Sequence, residues 1–231
     1  MEKKYCHIFF DLDRTLWDFW KNSAETLIEM VNKFSLHEIV HDSSEFIERY
    51  NYYNDRLWDY YRLGRIRKIQ LRPERFRLLL KEYGITDRKL TGELSRYYLN
   101  ISPAKTALIP HALELLEYLV KDYSLYILSN GFYDVQLTKM INSGISRYFR
   151  KLFTSDRIGY AKPDTRMFEY AIKSVNARKE ESLMVGDNEI VDIEGARNAH
   201  IDQVLFNPEG KIASLPATFE INDLLELKQW L

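Results

Sequence analysis

The chain has a single cysteine, Cys6, in 231 residues, so no internal disulfide can staple it, and this usage suits a reducing compartment. It has almost no net charge. Its 33 basic and 34 acidic residues leave a formal charge of -1, which argues against a protein built to hold a nucleic acid polymer or an anionic membrane. It has no apolar run approaching the ~20 residues needed to cross a bilayer. The charged start Glu2-Lys3-Lys4 leads into an apolar stretch that stops at Asp11, too short for a secretory signal. Low-complexity tracts and fixed-period repeats are also missing. A cytoplasmic, soluble protein is the expectation. What is present is a 45% hydrophobic fraction, enough for a sizeable core. The length allows one large domain or two small ones. Aromatic residues reach 14%, and seven of them (Phe46, Tyr50, Tyr52, Tyr53, Trp58, Tyr60 and Tyr61) crowd into residues 46–61.

Short apolar runs at 5–10, 123–129, 151–155, 182–186 and 203–206 predict strands of a parallel sheet buried on both faces. Helical periodicity lies between the later runs. Residues 111–121 place Leu113, Leu116 and Leu119/Val120 on one face. Residues 163–175 start at Pro163, suited to a first helical turn, and residues 189–199 carry Ile190, Ile193, Ala196 and Arg197. This alternation predicts an α/β fold, a doubly wound Rossmann-like parallel sheet with right-handed crossovers. About 100 residues after the first strand contain no clear strand. Their spacing is helical, as in Ala24, Leu27, Ile28 and Val31, or Phe46, Tyr50 and Tyr53, or Phe76, Leu79 and Leu80. A structureless loop of that length is implausible. The expectation is an all-helical domain over 17–103 inserted into an α/β core formed by 1–16 and 104–231.

The chemistry-bearing residues fall at strand ends. Asp11-Leu12-Asp13-Arg14-Thr15 follows the first strand, Ser129-Asn130-Gly131 ends the second, and Gly186-Asp187 ends the fourth, with Asp192 in the next helical turns. Lys162-Pro163 lies in a loop before a helix. Open α/β sheets bind ligands outside the carboxyl ends of their strands, so the fold predicts that these residues converge. Taken singly, each has a plainer reading as a cap, a turn former or a solvated lysine. Four carboxylates together (Asp11, Asp13, Asp187 and Asp192) repel, and a divalent cation relieves that repulsion. An all-oxygen donor set without a His or Cys cluster favours Mg²⁺ over zinc. Lys162, Ser129 and backbone N–H groups around Leu12–Asp13 and Asn130 can take an anionic substrate.

In order and spacing, Asp11-x-Asp13-x-Thr15, Ser129, Lys162-Pro163 and Gly186-Asp187-x-x-x-x-Asp192 resemble the four motifs of the haloacid dehalogenase superfamily, with 17–103 similar to its helical cap. The resemblance implies that Asp11 attacks phosphorus to form an aspartyl-phosphate and that Asp13 protonates the leaving oxygen and then activates water. It implies Mg²⁺ held by Asp11, Asp187 and the Asp13 backbone carbonyl, phosphate held by Ser129, Asn130 and Lys162, and supporting roles for Asp192 and Thr15. Arg14 departs from the small or polar residue common there, which predicts altered loop packing. Asp13 separates the chain from dehalogenases, whose halide leaving group needs no proton. Leu57-Trp58, Gly64-x-Ile66, Gln70-Leu71 and Arg75-Phe76, with Asn130-Gly131-Phe132, are similar to bacterial pyrimidine 5′-nucleotidases. That points to a nucleoside 5′-monophosphate, a small-molecule phosphomonoester. A sugar phosphate is the alternative substrate. An inactive binding module is the alternative of another class, and no broken motif favours it. Residues 62–82 carry eight basic and two acidic side chains, either a solvated helix face or a means of steering an anionic substrate.

Overall fold

The computed structural model describes residues 4–231. The charged start read at Glu2 and Lys3 lies outside the described residues. The chain divides into two compact units. One runs up to Phe19 and resumes over Lys105–Leu231, and the other is Trp20–Ala104.

Among the described residues the first unit is built on six parallel strands: β1 (His7–Phe10), β2 (Ser124–Ser129), β3 (Phe149–Thr154), β4 (Ser182–Gly186), β5 (Asp202–Phe206) and β6 (Phe219–Ile221). Their order across the sheet is β3-β2-β1-β4-β5-β6. Alternation along β1 divides the core. Ile8 and Phe10 join Leu125, Ile127, Leu183 and Val185 on one face, where Leu115, Leu116 and Leu119 cover them. Phe9 joins Tyr126, Leu128 and Met184 on the other face, beneath Met167, Phe168, Ala171 and Ile172. Burial on both faces explains why the central strands read as unbroken apolar runs. Strand β6 escaped the sequence reading because it has only three residues and includes the exposed Glu220.

The helices depart from the expectations in detail. Helix α5 (Ala112–Leu119) buries Leu115, Leu116 and Leu119 and leaves Leu113 and Val120 exposed, so its covered face is rotated from the one predicted. Pro163 does not open a helix. The Lys162–Pro163 peptide is cis, and α7 (Thr165–Ser174) starts after Asp164, whose carboxylate accepts from the Arg166 N–H. After β4 the chain forms a π-helical stretch, Glu189–Glu194, which runs into a short α-helix, Gly195–Asn198. That wider turn buries Ile193 and Ala196 but leaves Ile190 in solvent, against the expected shared face. Helix α6 (Tyr133–Asn142) follows β2.

The second unit holds α1 (from Phe19 to Lys33), α2 (Ser43–Arg62), α3 (Lys68–Glu82) and α4 (Arg88–Ile101), with no strand among its residues. Its core joins Leu27, Met30 and Val31 to Phe46, Tyr50, Phe76, Leu79, Leu80, Leu94 and Tyr98. Much of the aromatic surplus is therefore packing: Phe46 and Tyr50 are fully buried, while Tyr52 is exposed. The basic stretch is also less open than its composition suggests. Arg75 is buried, donates to Asn54 Oδ1 at 3.0 Å and lies 5.1 Å from the Tyr98 ring. Arg62 and Arg77 pair with Asp59 and Glu74.

Candidate active site

Strand register brings the motifs together. Phe10 sits opposite Ile127 of β2 and Val185 of β4, so the residues leaving all three strands emerge side by side. The Asp11 N–H still bonds to the Val185 carbonyl at 2.9 Å, which carries the sheet pattern one residue into the site. Beyond it the chain turns. The N–H groups of Leu16 and Trp17 bond back to the Leu12 carbonyl, and Arg14 takes φ 70. That left-handed conformation explains why a small residue is favoured there: an L side chain costs roughly 1–2 kcal/mol. The Arg14 guanidinium lies 5.1 Å from the Phe19 ring.

Lys162 is the hub. It is 1% exposed, and its ammonium reaches Asp11 Oδ1 at 2.7 Å and Asp192 Oδ1 at 2.6 Å. Burial works against its charge, but the two carboxylates outweigh burial and hold its pKa above the ordinary lysine value. Asn130 fixes the lysine's backbone with a reciprocal pair. Its amide Nδ2 donates to the Lys162 carbonyl and its Oδ1 accepts from the Lys162 N–H, both at 2.8 Å. The Asn130 side chain is thus committed to Lys162, leaving its main chain for any part in holding phosphate. Asp192 Oδ2 accepts from the Asn188 N–H at 3.1 Å. It fits because Gly186 has no Cβ, which would collide with the Asp192 carboxylate.

Asp11, Asp187 and Asp192 each bring one carboxylate oxygen within 4.8 Å of the others. Burial drives the Asp11 pKa well above the ordinary carboxylate range, against the pull of Lys162, and the charges of Asp192 and Asp187 add to the rise. Burial and the neighbouring Asp192 push Asp187 up to about 7, against Arg14 and the Thr15 hydroxyl, which donates to its Oδ1 at 3.1 Å. Carboxyls that resist ionising together, with oxygen the only donor type, fit a hard divalent cation such as Mg²⁺. The Asp13 carboxylate lies outside this cluster, so the expected part of Asp13 in holding a metal rests on its main-chain carbonyl.

Asp13 instead faces helix α6. Its Oδ1 takes the Lys139 ammonium at 2.5 Å and its Oδ2 the Gln136 amide at 2.8 Å. The same amide donates to Ser129 Oγ at 2.7 Å, and the Gly131 N–H donates to that oxygen at 3.1 Å. With two donors on its oxygen, the Ser129 hydroxyl has its own hydrogen left to give to an anion. Gln136 and Lys139 were not singled out from the sequence. Their signal was faint: two polar residues three apart, on a helix directly after the Ser129 motif, share one face.

The haloacid dehalogenase-like hydrolase family matches residues 8–206. The pyrimidine 5′-nucleotidase PynA of Streptococcus pneumoniae is 31% identical over 88% of this chain and 84% of its own length. The pyrimidine 5′-nucleotidase YjjG of Escherichia coli is 30% identical over 99% of this chain and 98% of its own. The crystal structure of the HAD-hydrolase YfnB from Bacillus subtilis, bound to magnesium, superposes with a TM-score of 0.89 at 28% identity, covering 98% of both chains. Among the described residues no helix is long and apolar enough to cross a membrane. With its motifs gathered at the carboxyl ends of three adjacent strands, and with a match that spans most of its length, the chain belongs to the haloacid dehalogenase-like hydrolase family.

Proposed function

We propose that the protein is a Mg²⁺-dependent phosphomonoester hydrolase whose substrate is a nucleoside 5′-monophosphate. The observation that carries the chemistry is the arrangement around Asp11: a buried carboxylate held by Lys162, with a second acid, Asp13, anchored separately. In the first step an Asp11 oxygen bonds to phosphorus while the bond from phosphorus to the ester oxygen breaks, and Asp13 gives that oxygen a proton, releasing an alcohol. In the second, Asp13 takes a proton from a water whose oxygen bonds to phosphorus, and the bond from Asp11 to phosphorus breaks, freeing phosphate. The Ser129 hydroxyl and the Lys162 ammonium hold the phosphoryl oxygens and offset charge that grows on them. Asp11, Asp187 and the Asp13 carbonyl would hold a Mg²⁺ ion, which when bound would supply positive charge beside the phosphoryl group and let the clustered carboxylates ionise together. Asp192 keeps Lys162 in place from behind.

The nucleotide reading is supported by the two pyrimidine 5′-nucleotidases that align over most of this chain. Phosphate release from uridine, thymidine and cytidine monophosphates, with sugar phosphates alongside and Mg²⁺ present, tests it. Pyrimidine nucleotides are expected to give the highest kcat/KM. Preference for a sugar phosphate overturns the substrate, and no release from any ester overturns the phosphatase.

A further inference from the structure

The geometry points to Gln136 and Lys139 of helix α6 as positioning residues for Asp13, the proton-transfer group of the reaction proposed above, on which this inference rests. Both are buried: Gln136 is 0% and Lys139 6% exposed. Each takes one oxygen of the Asp13 carboxylate, Lys139 at 2.5 Å and Gln136 at 2.8 Å, so the group can neither rotate nor withdraw without losing a bond. Each oxygen keeps a second lone pair for the leaving group or a water. The amide orientation is itself determined. Asp13 ionised can only accept, so the Gln136 nitrogen must face it, and the second N–H goes to Ser129 Oγ. One amide therefore ties the proton-transfer carboxyl to the hydroxyl offered to phosphate, which sets the separation of the two.

Two further observations show that this arrangement is built in. Gly131 has no Cβ, and one placed there would collide with the Gln136 amide, so the loop is shaped around that side chain. Among the described residues the Gln136 Oε1 has no hydrogen-bond partner although it is buried. An orphaned buried carbonyl is costly, and here it accompanies both N–H donations. Lys139 is held from the other side, its ammonium 4.2 Å from the ring centre of the fully buried Trp17. A lysine serving only to balance charge needs no such seat.

The reaction separates positioning of Asp13 from general damage. A nucleoside 5′-oxygen leaves as a strongly basic alkoxide unless it receives a proton, whereas p-nitrophenolate leaves without one. Lys139→Met and Gln136→Met keep side-chain length and remove the donors. Single-turnover rates of ester cleavage are measured on a nucleoside 5′-monophosphate and on p-nitrophenyl phosphate, with Mg²⁺ and enzyme in excess. Both variants are expected to slow nucleotide cleavage by about 10–10². Nitrophenolate release should stay within about threefold of wild type for Lys139→Met, and should fall clearly less than nucleotide cleavage for Gln136→Met, which also loses the donor to Ser129. Equal slowing of both esters, or no slowing of either, overturns the assignment. Two variants keep the test intact if one fails to fold, as judged by circular dichroism. Wild-type protein that cleaves neither ester overturns the phosphatase reading and this inference with it, whereas an active wild type with non-selective variants sinks the inference alone.

Discussion

Removing the charge of Lys162 gives a large and pH-dependent effect. Lys162→Met preserves volume and apolar stem but leaves Asp11 and Asp192, each within 2.7 Å of the lost ammonium, as buried carboxylates without their cation. Breaking a buried ion pair by removing one partner costs about 3–5 kcal/mol. At this chain length that lowers Tm by about 6–20 °C. The deficit must vary with pH, and its sign follows from Asp11. Burial raises the folded pKa of Asp11 well above 3.8, and Lys162 is the main influence opposing that rise. Without the lysine the rise is larger. A carboxyl raised on folding contributes stability that is complete below its unfolded pKa and is lost as pH rises through its folded pKa. The variant's deficit relative to wild type is therefore larger at pH 8 than at pH 5, because lower pH favours the protonated Asp11 that burial already promotes. Urea unfolding of both proteins in EDTA at the two pH values measures it. A difference below ~1 kcal/mol at pH 8, or one that is the same at pH 5, refutes the view of Lys162 as the cation that neutralises this cluster.

Other perturbations probe the same edge of the sheet. Asp11→Asn should abolish turnover, and persistent phosphate release would refute its role as nucleophile. Because the Asp187 pKa stands at about 7 without metal, Mg²⁺ must displace a proton below that pH. Calorimetric affinity should weaken roughly tenfold per unit as pH falls from about 7 to about 5 and level off above 7, and a flat profile contradicts this competition. Gly186→Ala drives a methyl group into the Asp192 carboxylate and should lower stability by about 1–3 kcal/mol. The matching change at Gly92, inside α4 with open space around it, should gain about 0.5–1 kcal/mol. Denaturant midpoints that move the same way in both variants would remove the steric argument.

Legibility in the sequence followed the physical signal available. The run at 182–186 corresponds to β4 residue for residue, because an apolar run between a charged segment and Gly186-Asp187 has few alternatives. The carboxylates at strand ends were legible for a topological reason: once the sheet is parallel, its carboxyl edge is a single place. Pro163 misled because its preference for a first helical turn competes with the cap offered by the next residue, Asp164, and the cap prevailed. Arg14 gave no sign of its φ of 70, since backbone handedness at one residue is set by the turn that Trp17 closes. Gln136 and Lys139 stayed hidden because which face of α6 meets the sheet depends on packing that periodicity does not encode. The pattern of buried Gln136, Lys139 and Met140 reads as an ordinary amphipathic helix until Asp13 is placed beside it.

The central place of β1 has a consequence for how the protein is made. This strand is synthesised first, yet its neighbours β2 and β4 begin about 110 and about 170 residues later. At ribosomal rates of about 5–20 residues per second, an apolar segment ending at Asp11 waits about 6–20 s before its first edge can pair. Both edges are open to other chains during that interval. The four helices between Phe19 and Ile101 emerge meanwhile, and an all-helical segment favours rapid folding, so the insertion both lengthens the wait and fills it. Nascent chains halted before β4 should therefore be more prone to aggregation than chains halted beyond it, because the strand that carries Asp11 is the one left incomplete.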